Sequence, residues 1–402
     1  MDQVTVVGAG QAGASCVAKL RTDGFGGKIT LIGDEAVPPY QRPPLSKAYL
    51  LGDMALDRLF LRPEAWYAEN NIDLRLGAAV EAVDAGEKTL RLAGEILSYD
   101  ALVIATGSSP RRLPAKIGGD LAGVHVVRDL ADVDAMEPEV TEGRRALIVG
   151  GGYIGLEAAA VARKRGMDVT LIEAAPRILG RVAAEETADY MRALHEGHGV
   201  TILEGVGIDH LTGAEGKVVG AVLSNCADMR VDMVIVGIGI TPNTALAEMA
   251  GVACNNGIVT DLKGRTSDPA IWAAGDCTSL SYRGERIRLE SVQNAIDQAE
   301  AVAKNILGAD EDYVPKPWFW SDQYDLKLQI AGLSTGYDYV AVRDGGKARS
   351  HWYYAGDTLL AVDAMNDPRG YMIGKRLIEA GKSPSAEIVA DPNSDLKALL
   401  KT

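Results

Sequence analysis

The sequence is short of cysteine and of positive charge and has no long apolar run, and each shortage closes off a class of chemistry. Four cysteines are scattered over 402 residues, at positions 16, 226, 254 and 277. None forms a C-x-x-C pair or any other metal-ligand spacing, so no iron–sulfur cluster or zinc site is expected in this chain. Thiols this sparse fit a reducing compartment, and a cytoplasmic location is expected. Lys and Arg total 41 against 55 Asp and Glu, a formal charge of −14. A surface of that sign repels a phosphate backbone, which argues against a nucleic-acid binder. No apolar run approaches the roughly 18 residues that a membrane span needs, so no membrane partner is expected. The N-terminus, MDQVTVVGAG, runs straight into an apolar strand pattern with no signal-peptide features.

Glycine, by contrast, is abundant and patterned. Residues 4–13, VTVVGAGQAG, read as a short buried strand, a glycine turn and the start of a helix; residues 146–155, ALIVGGGYIG, read the same way. Each continues to a second apolar strand, KITLIGD at 28–34 and DVTLIEA at 168–174. Strand, helix, strand is a βαβ unit with parallel strands. A second pair of segments also match, YDALVIATGSS at 99–109 and VDMVIVGIGIT at 231–241. The simplest account is a duplicated architecture with the second unit inserted within the first. Another strand and turn follow at 270–277, AIWAAGDC. From about Pro315 the texture changes: Trp318, Phe319 and Trp320 cluster, and strand patterns appear near 327–333 and 350–364.

Gly8-x-Gly10-x-x-Gly13 and Gly150-x-Gly152-x-x-Gly155 both fit the dinucleotide fingerprint. The first glycine permits a tight turn, the second lets backbone approach a pyrophosphate, and the third lets helix pack on strand. The helix N-terminus then faces the phosphate charge. Strand before and helix after make each match specific. Glu173 stands 18 residues after Gly155, at the end of VTLIE. It can accept two hydroxyl hydrogen bonds from an NAD ribose and would repel the 2′-phosphate of NADP, so NADH is favoured. In the first copy Gly33 falls opposite Glu173. The ribose role there must pass to Asp34 or Glu35, with Asp34 preferred.

The two fingerprints, ATG at 105–107 and GD at 275–276 resemble the two-dinucleotide-binding flavoprotein reductases. Within these, PPYQRPPLSK at 38–47, GGGYIGLE at 150–157, TSDPAIWAAGDC at 266–277, ESVQNA at 290–295 and PWFWSDQY at 317–324 resemble the ferredoxin reductases of the putidaredoxin-reductase type. These serve cytochromes P450 and aromatic-ring dioxygenases. The resemblance implies an α/β fold: two Rossmann-like, glutathione-reductase-like dinucleotide-binding domains and a smaller α+β C-terminal domain. An FAD-binding domain is expected at 1–110 and 240–314, an NAD-binding domain at 111–239 and the C-terminal domain at 315–402.

The same resemblance assigns residues. Gly8, Gly10, Ala12 and Gly13 would carry FAD, with Asp34 or Glu35 at its ribose and Arg42 and Lys47 reaching the flavin nucleotide. Ala105, Thr106 and Gly107 would line it, with Val80 near the adenine and Arg128 nearby. Gly275 and Asp276 would close on the ribityl chain and phosphate, and Ser291 and Val292 on the isoalloxazine. Gly150, Gly152, Tyr153, Ile154, Gly155 and Glu173 would hold NADH, and Gly237 and Gly239 would admit the nicotinamide. Lys47 and Glu157 are the catalytic candidates, expected as a pair near the nicotinamide; Glu157 is read as opening its helix, where the dipole favours a carboxylate. Trp320 is placed close to the flavin.

Relatives with this fold discharge the flavin through a C-x₄-C pair or a single Cys after the second strand, but residues 34–47 contain no Cys. Hydride transfer from nicotinamide to flavin needs stacked rings and little acid–base help, and the reduced flavin can then release electrons singly. The expected acceptor is a separate [2Fe–2S] ferredoxin, bound transiently and electrostatically by a chain that is itself a monomer or a weak homodimer. An acidic ferredoxin would need a local basic face; Arg283, Arg286 and Arg288 with Lys316 and Lys327 are candidates. The rival enzyme readings are a flavin NADH reductase for rubredoxin, nitrite reductase or quinone. The rival outside enzymology is a flavoprotein acting through partner binding, as apoptosis-inducing factor does.

Overall fold

The structure is a computed structural model that describes residues 1–401. The chain divides into two compact units, Met1–Arg42, Ala55–Ser109 and Ile240–Pro317 in one, Pro43–Met54, Pro110–Gly239 and Trp318–Thr402 in the other.

The first unit is built on a five-stranded parallel sheet. Its order is Ile271–Ala273, Ala101–Ile104, Gln3–Val7, Lys28–Ile32, Ile72–Arg75. These strands are near-continuous apolar runs, as a sheet covered on both faces requires. The helices Gln11–Thr22 and Val292–Ile306 cover one face, where Val17, Leu20, Ala299 and Val302 join Val4, Val6, Leu31 and Val103 in one core. The opposite face packs Ile104 and Ile271 with Leu90, Leu92 and Val252, which come from the small antiparallel sheet at 80–98 and the segment around Ala245–Met249.

The second unit repeats the plan. Its parallel sheet runs Thr201–Glu204, Asp168–Glu173, Arg145–Val149, Met233–Val236, Val124–His125. In both sheets the fingerprint strand is central, so the fingerprint turn leaves from the point where the chain's connections reverse direction, the usual ligand crevice of open α/β sheets. A five-stranded antiparallel sheet completes this unit, in the order Trp318–Gln323, Leu326–Gly332, Thr358–Met365, Arg349–Ala355, Tyr339–Asp344. The amphipathic helix Pro368–Glu379 buries Ile373 and Leu377 against its Trp352 and Val362. Its N-cap, Asp367, accepts from the Gly370 amide, and the proline at its first position lacks only an amide that a helix leaves unpaired anyway. Among the described residues, no helix is long and apolar enough to cross a membrane.

Candidate functional site

In the first unit the Gly8 amide donates to the Ile32 carbonyl at 2.8 Å, which ends the strand and starts the turn. A β-carbon on Gly8 would lie 2.2 Å from the Ala105 carbonyl oxygen, and one on Gly13 would lie 1.9 Å from the Gly8 carbonyl oxygen. Any side chain at either place would therefore drive helix and strands apart. Gly10 caps the helix Gln11–Thr22 without a side-chain bond, and no acid sits in its first turn. Nothing lies within 4 Å of a β-carbon built on Gly10. The first-turn amides are thus uncapped beside an open approach, the arrangement that accepts a pyrophosphate. On the other wall Gly275 approaches Ala12, with only 3.1 Å to spare for a β-carbon, and its amide is held by Gln298 Oε1 at 2.9 Å. These residues fit an FAD.

The remaining residues expected around the flavin are placed as follows. Asp34 is exposed, and one of its oxygens accepts from the Glu35 amide at 3.1 Å. Glu35 is occupied on both oxygens, by the Tyr40 hydroxyl and by the Arg42 guanidinium. Thr106 spends its hydroxyl on the Asn243 carbonyl at 2.7 Å, and the Asn243 amide returns to the Thr106 carbonyl at 2.9 Å. That clasp fixes the turn through Gly107. Asp276 accepts from Ser108 at 3.2 Å. Ser291 caps the helix Val292–Ile306 by accepting from the Asn294 amide at 3.2 Å, so Val292 is its first residue. Val80 is half-buried at the start of its antiparallel strand.

The second fingerprint has the same backbone. Gly150 donates to the Ile172 carbonyl at 2.8 Å; its β-carbon would lie 2.4 Å from the Gly237 carbonyl oxygen, and that of Gly155 2.0 Å from the Gly150 oxygen. Gly152 is open in the same sense as Gly10, at the uncapped start of the helix Tyr153–Lys164. Ile154 is exposed and Tyr153 packs on Phe319, with 5.1 Å between ring centres. Gly239 accepts from the Arg111 amide at 2.9 Å. Arg128 lies before the capped helix Leu130–Met136, where its amide donates to Asp132 at 3.0 Å. Glu173 clasps its own loop: one carboxylate oxygen takes the Gly151 amide and the other the Ala175 amide, both at 2.7 Å. Each oxygen keeps a second lone pair for a ribose hydroxyl. These residues fit a nicotinamide dinucleotide.

Two residues predicted from distant parts of the chain come together here. Glu157 lies in the fifth position of its helix, not in the opening turn, and is only 2 % exposed. Burial of a carboxylate demands partners, and it has three: Lys47 Nζ at 2.6 Å and Ser46 Oγ at 2.8 Å on one oxygen, Ser321 Oγ at 2.6 Å on the other. Ser46 and Ser321 escaped the sequence reading, because neither hydroxyl belongs to a spacing pattern. The segment carrying Ser46 and Lys47 is tied down by Tyr49, which donates to Asp134 at 2.8 Å. Trp320 is half-buried on the edge strand beside Ser321, stacked obliquely on Trp318 at 5.4 Å.

The thiols are all free. Burial pushes the Cys16 thiol up to about 12 and the Cys277 thiol up to about 11, and Cys277 is further held by the Ala274 and Ile104 carbonyls. Thiols that stay protonated are poor nucleophiles. Of the basic residues considered for docking, Arg288 is withdrawn, with its side chain 14 % exposed and paired to Glu290 at 2.7 Å. Arg286 bonds the Ser279 carbonyl at 2.7 Å, while Arg283, Lys316 and Lys327 are exposed.

Comparison with known proteins places these features in context. Residues 2–299 match the family model described as pyridine nucleotide-disulphide oxidoreductase, and residues 318–400 match one described as reductase C-terminal. A ferredoxin–NAD(P)(+) reductase from Sphingomonas is 43% identical over 401 residues, covering 98% of this chain and 96% of its own. Rhodocoxin reductase from Rhodococcus erythropolis is 39% identical over 400 residues, covering 98% and 93%. The crystal structure of a covalent putidaredoxin reductase–putidaredoxin complex superposes with a TM-score of 0.96 at 38% identity, covering 100% of this chain and 98% of that one.

Proposed function

Because the chain belongs to the pyridine nucleotide-disulphide oxidoreductase family, whose members use FAD and a nicotinamide dinucleotide, we propose that it is an NADH-oxidising reductase that passes single electrons to a [2Fe–2S] ferredoxin. The ferredoxin in turn would feed a cytochrome P450 or a ring-hydroxylating dioxygenase. When bound, FAD supplies the exchange between a two-electron donor and one-electron acceptors.

The observation that carries the reading is the presence of two dinucleotide cradles, in the first of which burial keeps the Cys16 and Cys277 thiols protonated. We assign residues 1–110 and 240–314 to FAD, 111–239 to NADH and 315–402 to the C-terminal domain. Gly8, Gly10, Ala12 and Gly13 would receive the FAD pyrophosphate. Asp34 suits its ribose better than Glu35, whose oxygens already serve Tyr40 and Arg42. Gly150, Gly152 and Gly155 would receive the NADH pyrophosphate, and Glu173 its adenosine ribose. A carboxylate there disfavours a 2′-phosphate, which supports NADH over NADPH. Lys47 and Glu157 would orient the reacting rings; with Glu157 buried and Lys47 half-buried against it, the pair forms a fixed dipole that needs no rearrangement. Four free thiols suit a cytoplasmic protein.

The test is a steady-state assay of the FAD-loaded protein with NADH or NADPH against a panel of [2Fe–2S] ferredoxins coupled to cytochrome c, with rubredoxin and a quinone alongside. NADH-driven turnover with at least one ferredoxin is expected. Turnover with rubredoxin or quinone and none with any ferredoxin would overturn the choice of acceptor. Slow flavin reduction with no acceptor turnover would favour a protein that acts by binding partners.

A further inference from the structure

Glu157 is the end of a longer buried chain of polar groups. Ser321 and Gln323 lie two residues apart on the edge strand Trp318–Gln323, so their side chains share a face. Gln323 Nε2 donates to Ser321 Oγ at 3.0 Å. Gln323 Oε1 meets His195 Nε2 at 2.6 Å, in the last turn of the helix Glu185–Gly197. His195 Nδ1 meets the Tyr324 hydroxyl at 3.2 Å. The Tyr324 ring stacks on His198, 3.7 Å between centres, at the exposed end of the chain. Ser46, Glu157, Ser321, Gln323 and His195 are all buried.

The direction of every bond follows from one charge. An ionised carboxylate only accepts, so Ser321 must donate to Glu157. Having spent its proton, Ser321 must accept, so it faces the Gln323 NH₂. The Gln323 carbonyl then faces His195 and forces the proton onto Nε2. The neutral ring leaves Nδ1 as acceptor for the Tyr324 hydroxyl. Burial lowers the His195 pKa to about 4, which keeps the ring neutral. The dipoles therefore all point one way, toward Glu157, and aligned bonds of this kind strengthen one another. An amide does not hand on its protons, so Gln323 makes the chain a device for orientation and polarisation, not a proton wire.

We propose that Ser321, Gln323 and His195 are positioning residues, which lock the Glu157 carboxylate in the plane where its other oxygen grips Lys47. The proposal rests on the reading that the Lys47–Glu157 pair serves flavin reduction by NADH. Without the chain the free oxygen of Glu157 can rotate, and the Lys47 ammonium loses its fixed place.

Two measurements on the FAD-loaded protein test this. The first is nitrogen NMR of histidine-labelled protein, which reads the tautomer without turnover. His195 should be the Nε2–H tautomer at pH 7 in the native protein, and a mixture in Ser321→Ala, where the carboxylate no longer sets the direction. A native His195 protonated at Nδ1 would overturn the proposal. The second is anaerobic rapid mixing with NADH on His195→Phe and Gln323→Met, each alone and combined with Glu157→Gln. Each single variant should slow flavin reduction about fivefold, a little under 1 kcal/mol on the barrier, with the NADH dissociation constant little changed. In the Glu157→Gln background the fivefold loss should vanish. A loss that persists there in full would mean a packing effect and would sink the proposal. If Glu157→Gln alone leaves flavin reduction unchanged, the catalytic reading of the pair fails instead, and the tautomer still decides whether the chain exists.

Discussion

The two fingerprint turns are copies in backbone and opposites in chemistry. Gly8 and Gly150 each donate to the end of the next strand at 2.8 Å, and Gly13 and Gly155 each press their helix onto the first glycine of their own turn. Yet Glu173, which clasps the second turn, is replaced by Gly33 in the first. Strand pairing puts Val7 beside Ile32 and Val149 beside Ile172, so the two positions correspond. A β-carbon at Gly33 would lie 2.5 Å from the Ala9 β-carbon, so the first turn has no room for the second turn's acid. Likewise Ser15 occupies the place of Glu157 and accepts from Gln11 Nε2 at 3.3 Å. Under the proposed function the shared backbone would account for phosphate binding, and the differing side chains for which nucleotide each turn holds and where chemistry occurs.

The sharpest way to break the comparison is to spoil each turn separately. Gly8→Ala places a β-carbon against the Ala105 carbonyl at a backbone φ of 113°, and should leave protein with little or no bound flavin, read by absorbance per chain. Gly150→Ala, at φ 107°, should keep its FAD but lose NADH-driven bleaching by about a hundredfold or more, since loss of a close-packed phosphate turn removes several kcal/mol of binding. Loss of flavin in both would mean the turns are not specialised.

The next effect concerns the pair that only the second copy carries. Lys47→Met leaves a buried carboxylate without its cation and should cost about 3–5 kcal/mol of stability, seen in urea unfolding. Glu157→Gln leaves no bare charge, so it should cost less stability and show itself in slower flavin reduction. Equal and small losses in both would mean the ion pair is effectively solvated.

These residues also mark how far the sequence could be read. The fingerprints were legible because glycine is demanded at fixed spacing by steric contact, and parallel strands were legible as unbroken apolar runs. Glu173 was legible as a strand-end acid. Of the partners of Glu157, Lys47 was expected through the family resemblance, and the two serines were not. Ser46 and Ser321 lie 111 and 164 residues away from it, and a serine hydroxyl leaves no periodic trace. Nor could the pattern show that Glu157 sits past the opening turn and depends on side chains, with the helix dipole a minor influence. Arg288 read as part of a basic docking face from its place in the Arg283–Arg286–Arg288 cluster, but folding leaves it half-buried and paired to Glu290.

A smaller effect sharpens the choice of nucleotide. Glu173→Ala should raise KM for NADH roughly tenfold, about the value of one hydrogen bond to a charged group, and should narrow the preference over NADPH. An unchanged ratio of kcat/KM for the two nucleotides would remove Glu173 from the selection.

The smallest effect separates the units by acid. Burial lowers His195 and His351 to about 4 and raises Asp363 to about 6, and all three lie in the second unit. In the first unit the buried groups Tyr67, Tyr99, Cys16 and Cys277 are pushed up to about 11 or 12 and do not titrate in acid. Each histidine contributes stability that is complete above its unfolded value of 6.5 and is lost as pH falls toward 4. Asp363 acts oppositely: its contribution is complete below 3.8 and is lost as pH rises through about 6. Two groups against one leave a net loss on acidification, about 1.4 kcal/mol per pH unit for each net proton. Hydrogen exchange at pH 7 and pH 5 should therefore loosen the second unit first, and Asp363→Asn should steepen its loss. Equal loosening of both units would contradict this.

Electron export without a thiol is the property of the proposed reductase most open to direct measurement. An anaerobic titration of the FAD-loaded protein with NADH, followed by ferredoxin and by a thiol count in denaturant, tests it. Two reduced ferredoxins should appear per NADH, and the same four thiols should be counted before and after NADH. Extra thiols after NADH, or flavin that bleaches and passes nothing to ferredoxin, would contradict it.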